Sequence, residues 1–302
     1  MTGTSELEAL YSDIEKAAGL LDAPCSRDKV WPILTAYADV TPPQAQMAYR
    51  VATNSAGLDF RIASLDGELD PYALALSSGL TEKTDHPVGT LLSEIQERFP
   101  LDYHGIDFGV VGGFKKTWTF FPLDNLQKVT ELAELPSMPR SLADNLDFYT
   151  GHGLDGKTSL IGIDYPSKTL NIYFLGAPDE AREPQAVRSM LAAFGLSEPS
   201  EQMLALARQS TGFYTTLSWN SPKIERITFA VIVRELTAFP DRVEVDQKIE
   251  KFARNAPYTY GPADRKGIYG VTASPRGEYY KLQSWYQMPS QMVKMLSPDT
   301  SQ

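Results

Sequence analysis

Cysteine is nearly missing from this 302-residue sequence, with Cys25 the one copy. A single cysteine excludes an internal disulfide framework and fits a reducing compartment. Cys25 falls in a helical region with no histidine beside it, so a cysteine hydrolase has no motif here, and neither does a serine hydrolase. Histidine is scarce too: His86, His104 and His152 sit near turns or strand ends, where structural or surface roles account for them. No stretch approaches the roughly 18 apolar residues of a membrane-spanning helix. The opening segment, MTGTSELEALYSDIEK, is polar and amphipathic, with no apolar signal core, which predicts a cytoplasmic protein. Net positive charge is lacking: the balance is −10, which counts against nucleic acid or an anionic membrane as main partner. Gly112-Gly113-Phe114-Lys115-Lys116 falls short of a complete phosphate-binding loop. Linkers of domain length, rich in Pro and Ser, are also absent, so residues 1–302 are expected to form one domain.

What the sequence has is alternation. The residues are 42% apolar and 22% charged, enough to build a core. Residues 5–21 carry apolar side chains at helical spacing, and Ser26 is placed to cap a second helix. The period then drops to two in residues 45–53 and 58–64, around the turn Asn54-Ser55-Ala56-Gly57. Further strand pairs fall at 104–111 with 115–121, 159–165 with 169–174, 211–219 with 225–233, and 267–273 with 278–286. Helical stretches separate them, near 88–98, 123–134, 140–149, 185–194, 199–208, 243–255 and 288–296. Hairpins make antiparallel neighbours. Ten such strands can close into a barrel, which removes the sheet edges, with the helices as an outer coat.

Alternation also sorts side chains by face. Ala48, Arg50 and Ala52 share one face of their strand, and Asp59, Arg61 and Ala63 one face of the next. Either these arginines meet solvent on an edge strand, or they line an interior. The other strands favour the interior. Lys116 shares a face with Trp118 and Phe120; Lys168 leads into Thr169, Asn171 and Tyr173. Gly212, Tyr214 and Thr216 alternate, as do Arg226, Thr228 and Ala230, and Tyr279, Lys281, Gln283 and Trp285. Inward, these faces make a cationic zone beside an aromatic one. Cations with several donors suit a diphosphate. Aromatic walls suit an isoprenyl chain and an allylic cation.

The segments GIDFGVVGGFKKTWTFFP (105–122), PSMPRSLADN (136–145), IDYPSKTLNIYF (163–174), FYTTLSWNSPKIERITFAV (213–231) and GEYYKLQSWY (277–286) carry a resemblance. AAGLLDAPCSRDKVWPIL (17–34) and DPYALALSSGL (70–80) add to it. The chain resembles the soluble bacterial aromatic prenyltransferases of the PT-barrel (ABBA) fold along nearly its whole length.

The resemblance implies an α+β fold: a ten-stranded antiparallel β-barrel surrounded by helices, its solvent-filled lumen the active site. It implies transfer of a prenyl group from dimethylallyl or geranyl diphosphate to an electron-rich aromatic small molecule, by a monomer that uses neither nucleic acid nor membrane. By motif, the diphosphate ring is Lys116, Asn171, Tyr214, Arg226 and Lys281, with Lys168 as a sixth member. Lys116, Arg226, Lys281 and Tyr214 carry the catalytic role. Trp118, Leu160, Gly162, Tyr173, Gly212, Ile268, Gln283 and Trp285 fall where the family lines its acceptor and prenyl pocket.

Some relatives hold magnesium with an aspartate, and Asp59 matches it. Arg50 and Arg61 stand where those relatives carry small hydroxyl residues, and are expected to grip the diphosphate with Asp59 as their orienting partner. No cofactor is therefore expected to be required. A DDxxD motif, which bridges metal to diphosphate in other prenyltransferases, is absent; Asp144-Asn145-Leu146-Asp147 reads as helix surface. The competing reading is a non-catalytic barrel that binds aromatic or isoprenoid ligands, which turnover would exclude.

Overall fold

The computed structural model describes residues 3–176, 178–236, 244–261 and 264–289. Its strands are β1 (Met47–Ala52), β2 (Asp59–Asp66), β3 (Tyr103–Gly109), β4 (Gly113–Phe120), β5 (Thr158–Asp164), β6 (Thr169–Leu175), β7 (Gly212–Ser218), β8 (Arg226–Val233), β9 (Gly267–Ser274) and β10 (Gly277–Gln287). Every neighbouring pair is antiparallel, and β10 returns to β1, closing the barrel. Closure leaves no strand edge open to a second chain.

Helices coat the outside: α1 (Thr4–Gly19), α2 (Arg27–Tyr37), α3 (Pro71–Ser77), α4 (Leu91–Arg98), α5 (Val129–Leu132), α6 (Arg140–Ala143), α7 (Leu146–Gly151), α8 (Pro184–Phe194), α9 (Glu201–Gln209) and α10 (Gln247–Asn255). Their starts follow local chemistry. Asp70 accepts from the backbone N–H of Tyr72 and Ala73, both at 2.8 Å, with Pro71 as the first residue of α3. Ser200 caps α9 and Asp246 caps α10 in the same way. Ser26 occupies the cap position of α2, but its side chain makes no capping bond.

Several helices differ from the sequence reading. The span 123–134 is helical only at Val129–Leu132, and 140–149 is split into α6 and α7 by Asp144 and Asn145. Helix α3 was not expected. The expected helix at 288–296 lies almost wholly outside the described residues.

The apolar core sits between barrel and helices. In β6, Leu170, Ile172 and Phe174 point outward and are buried, while Thr169, Asn171 and Tyr173 point inward. Phe60, Phe108, Ile161, Phe213, Phe229 and Tyr269 do the same on other strands and meet Leu10, Ile33, Leu92, Met203 and Phe252 from the helices. Each such side chain is worth roughly 1.5–3 kcal/mol buried. Stability built on the outer face leaves the inner face free to be polar. Among the described residues no helix is long and apolar enough to cross a membrane.

Candidate active site in the barrel lumen

Lumen-facing side chains form rows across the strands. One row runs Ala48, Arg61, Asp107, Lys116, Asp164 and Thr169, from β1 to β6. Its charges alternate, so each ionised group has an opposite neighbour on the next strand. The next row carries Gly105, Trp118, Gly162, Asn171, Thr216 and Arg226. A third brings Leu160, Tyr173, Tyr214 and Thr228 side by side.

Asp107 is the anchor of the cationic wall. It is fully buried on β3 and accepts from both lumen arginines. Arg61 Nε lies 2.8 Å from its Oδ1 and a terminal guanidinium nitrogen 3.4 Å from its Oδ2; Arg50 bonds Oδ2 as well. Burial pushes the Asp107 carboxyl up, but Arg50 and Arg61 outweigh it and hold the group well below the usual carboxylate range. Sequence reasoning missed Asp107, because nothing local marks it among the inward residues of β3. It also mispaired Asp59. That carboxylate sits opposite Arg50 in register, yet its salt bridge is to Lys115, Nζ to Oδ2 at 2.7 Å. The reason is a bulge: Asp107 faces Lys116 and Phe108 faces Phe114, so Lys115 has no partner on β3 and turns toward β2.

Lys116 is buried, 3.4 Å from Asp164. Burial is the main force on its ammonium, with Arg50 adding to it; Asp164 and Asp107 resist, and the group is lowered to about 8. Lys281 donates to the Tyr214 hydroxyl at 2.9 Å. Burial alone would raise the Tyr214 phenol; Lys281, with help from Thr228 and Arg50, pulls it below the ordinary tyrosine value. Tyr214 stacks on Tyr173, centroids 4.1 Å apart, and Tyr173 meets the edge of Trp118 at 5.2 Å. The Arg61 guanidinium carbon lies 3.8 Å from the Trp118 ring centroid, and Lys116 Nζ 5.1 Å. Trp118 can lie there because of Gly162: a Cβ at that position would sit 2.8 Å from the indole.

These groups surround a cavity of about 360 Å³. Of the residues expected in the site, Arg50, Arg61, Trp118, Leu160, Tyr173, Gly212, Tyr214, Ile268, Lys281, Gln283 and Trp285 line it, and Asp59 stands at its rim. Ala230, which alternates with Arg226 and Thr228, and Gly270, unremarked in the sequence, line it beside Gly212. Lys116, Asn171 and Arg226 lie on the lumen wall in neighbouring rows. Arg226 is half-buried, and its side chain has no hydrogen bond or ion pair to another described residue. Lys168 is not brought to the ring. It is exposed in the β5–β6 turn with a left-handed φ of 50°, and its charge acts on His86. The three histidines serve structure: His86 accepts from Val88 N–H, His104 is buried against Thr119 and the Trp118 carbonyl, and His152 bonds the Phe148 carbonyl.

Charge that offsets a diphosphate, next to aromatic faces inside a closed barrel, is the arrangement the resemblance implied. A sequence model described as aromatic prenyltransferase Orf2 matches residues 5–297. The chain belongs to the aromatic prenyltransferase Orf2 family. It is 46% identical over 302 residues to a 5,10-dihydrophenazine-1-carboxylate 9-dimethylallyltransferase of Streptomyces anulatus, covering 99% of each chain. Against a flaviolin linalyltransferase of Streptomyces virginiae it is 44% identical, covering 95% of this chain and 94% of the relative. A furaquinocin biosynthesis prenyltransferase of Streptomyces sp. (strain KO-3988) is 46% identical, with 96% and 94% covered. The fold also matches a crystal structure of 6-dimethylallyltryptophan synthase from Micromonospora olivasterospora in complex with DMASPP and Trp. There the TM-score is 0.51 at 10% identity, with 93% of this chain and 98% of that one covered. This aromatic prenyltransferase is thus an enzyme of secondary metabolism, not a passive ligand-binding barrel.

The prenyltransferase has no group of three or more His, Cys, Asp or Glu side chains among the described residues that could hold a metal ion. Asp59, the one match to a magnesium ligand, already carries an ammonium at 2.7 Å. One carboxylate so occupied is a poor fit to a hard cation that needs several oxygen ligands.

Proposed function

We propose that the enzyme transfers a five- or ten-carbon allylic group from its diphosphate to a fused, electron-rich aromatic ring, with its own cations in place of magnesium. The observation that carries this reading is the cavity wall. Arg50, Arg61 and Lys281 meet Trp118, Tyr173 and Tyr214 around one space.

The diphosphate lies against Lys281, Tyr214, Lys116, Asn171 and Arg226, with Arg50 and Arg61 completing the charge. As the C1–O bond breaks, its electron pair leaves with the diphosphate, and these donors stabilise the growing negative charge. The π-faces of Trp118, Tyr173 and Tyr214 flank the allylic cation, and the closed wall keeps water from it. A ring carbon of the acceptor then bonds C1. Loss of the proton on that carbon restores aromaticity, with diphosphate oxygen or water taking it. Leu160, Gly212, Ile268, Gln283 and Trp285 place the acceptor, and placement decides the product. The relatives named for a dihydrophenazine and for flaviolin support a bicyclic or tricyclic acceptor. The enzyme works as a monomeric, one-domain protein of the cytoplasm.

The test is incubation with dimethylallyl and geranyl diphosphate against a panel of naphthols, phenazines and phenols, read by mass spectrometry. Products heavier by one prenyl unit are expected, in excess EDTA as well as without it. A panel that stays unmodified with both donors overturns the reading.

A further inference from the structure

Gln46 is a cavity residue that the mechanism above does not use. It precedes β1 and shares the lumen face with Ala48 and Arg50, while Ala45, Met47 and Tyr49 pack outward into the core. It lines the cavity and is only 8% exposed. Its backbone is satisfied: the N–H donates to the Ser64 hydroxyl at 3.4 Å, and the carbonyl accepts from Ala63 N–H at 2.8 Å. Its side-chain amide has no hydrogen-bond partner among the described residues. Gln127, as deeply buried, donates to the Asn125 carbonyl at 2.6 Å. An amide turned to the lumen without a protein partner is costly to keep. Such a group is retained where a ligand completes it.

The topology says which end of the lumen it serves. The five hairpin turns gather at one end of the barrel, and Lys116, Arg226 and Lys281 follow them within a few residues. Gln46 comes before the first strand, and so lies at the opposite end. Along the chain it is about 13 Å from Arg50, at roughly 3.3 Å per residue. Its row runs on through Ala63 and Gly105 to Trp118. A Cβ on Gly105 would lie 3.0 Å from the Ala63 Cβ, so the wall between amide and indole stays bare. Tyr103 and Phe120, stacked with centroids 4.1 Å apart, line the cavity at the same end. A flat ring fits against such a wall, with the amide at its edge.

We infer that the Gln46 amide binds a hydroxyl group of the acceptor, on the ring edge remote from the carbon that is prenylated. This rests on the prenyl-transfer reading above and narrows its substrate class to fused rings with a hydroxyl at that far edge. A hydroxyl both donates and accepts, and the amide carbonyl and NH₂, side by side, meet both needs. A carboxylate engages the NH₂ alone and meets the carbonyl lone pairs. A bare hydrocarbon edge leaves the amide without a partner, which is how a hydrogen-bonding site rejects an analogue that lacks the group. Held at its far edge, the ring presents the other edge to C1. Gln46 therefore sets specificity and placement, not bond breaking.

The experiment compares 2,6-dihydroxynaphthalene with 2-naphthol, which lacks the far hydroxyl, in the full-length enzyme with dimethylallyl diphosphate. Trp118 and Trp285 line the cavity, so quenching of tryptophan emission gives the same comparison as binding, without turnover. Gln46→Met keeps the length of the side chain and removes its hydrogen bonds. From wild type to Gln46→Met the preference for the diol in kcat/KM should fall roughly fivefold, through KM, the net worth of one neutral hydrogen bond. Gln46→Asn should keep part of it. The Tm of Gln46→Met should equal or exceed that of the wild type, because no bond within the protein is lost. A preference undiminished in Gln46→Met overturns the inference and leaves prenyl transfer standing. So does a lower Tm in that variant, which would assign the amide to the fold, or a raised KM for dimethylallyl diphosphate in place of the diol, which would assign it to the donor. A wild type that binds neither naphthalene while converting other members of the panel overturns it as well. Failure to convert any acceptor of the panel overturns the functional reading itself.

Discussion

Arg61 lies between a carboxylate and an indole: its Nε is 2.8 Å from Asp107 Oδ1, and its guanidinium carbon 3.8 Å from the centroid of Trp118. The same residue thus ties the ionic wall to the aromatic wall. Asp107 fixes its tilt and Trp118 its height. Arginine suits this place because its planar group stacks and still presents donors at its edge.

Replacing Asp107 by Asn keeps the shape and removes the charge that both arginines share. Breaking a buried ion pair costs about 3–5 kcal/mol, so a clear fall in Tm is expected, with a higher KM for the donor. The pH dependence has a definite sign. Asp107 is held below its unfolded value, so its contribution is complete above about pH 4 and fades as pH falls further. The wild type should lose stability in acid more steeply than Asp107→Asn. Urea melts across pH 2–6 that run parallel for the two proteins would remove Asp107 from this role.

Lys116 titrates near working pH, since burial lowers its ammonium to about 8. Turnover should fall as pH rises through that value, because the diphosphate loses one cation. Stability moves the other way. Between about 8 and the unfolded value of about 10.4 the unfolded chain binds the extra proton, so this group's burial penalty is relieved as pH rises. Lys116→Arg should shift the alkaline loss upward, provided the longer head fits beside Asp164. An unchanged pH–rate profile in that variant would argue that Lys116 does not set the limb.

Arg226→Ala and Lys281→Ala should each lower kcat/KM by about 2–4 kcal/mol of transition-state stabilisation with little loss of fold. The two differ in one respect. Lys281 also holds Tyr214 down, so Lys281→Ala should return the Tyr214 phenol toward or above its ordinary range. Ultraviolet titration of tyrosine ionisation checks this. Near-normal rates in both variants would place the two residues outside the donor site.

Lys115 and Asp59 bear on metal use. With Lys115 changed to Ala, the Asp59 carboxylate is released from its 2.7 Å partner and becomes a free oxygen ligand at the cavity rim. Activity of the wild type should survive excess EDTA, whereas Lys115→Ala should become sensitive to added magnesium. Wild-type activity that vanishes with EDTA and returns with magnesium would defeat the metal-free mechanism.

Gly162→Ala is a test of the wall itself. A methyl group there overlaps the Trp118 indole at 2.8 Å, and the ring is also packed against the Arg61 guanidinium and the Tyr173 ring. An overpacking cost of about 1–3 kcal/mol is expected, with a shift in tryptophan emission and an altered product ratio. Unchanged emission and products would show that the ring adapts freely.

Much of this barrel was legible in the chain alone. The period-two segments located all ten strands within a few residues, and alternation put Arg50, Lys116, Trp118, Asn171, Tyr214, Arg226 and Lys281 on the face that proves to be the lumen. These are local properties: successive side chains on a strand must point to opposite sides, and a hairpin must pair antiparallel. Which charges meet is not local. Asp107 became the partner of both arginines only once β3 was in register beside β2, and the bulge at Lys115 took Asp59 away from them. Lys168 had the right sequence context, but its left-handed turn leaves it outside. The chain determined the inventory of the lumen, because alternation needs only neighbours in sequence. Register, bulge and closure determined the pairings, because those depend on strands brought together from distant parts of the chain.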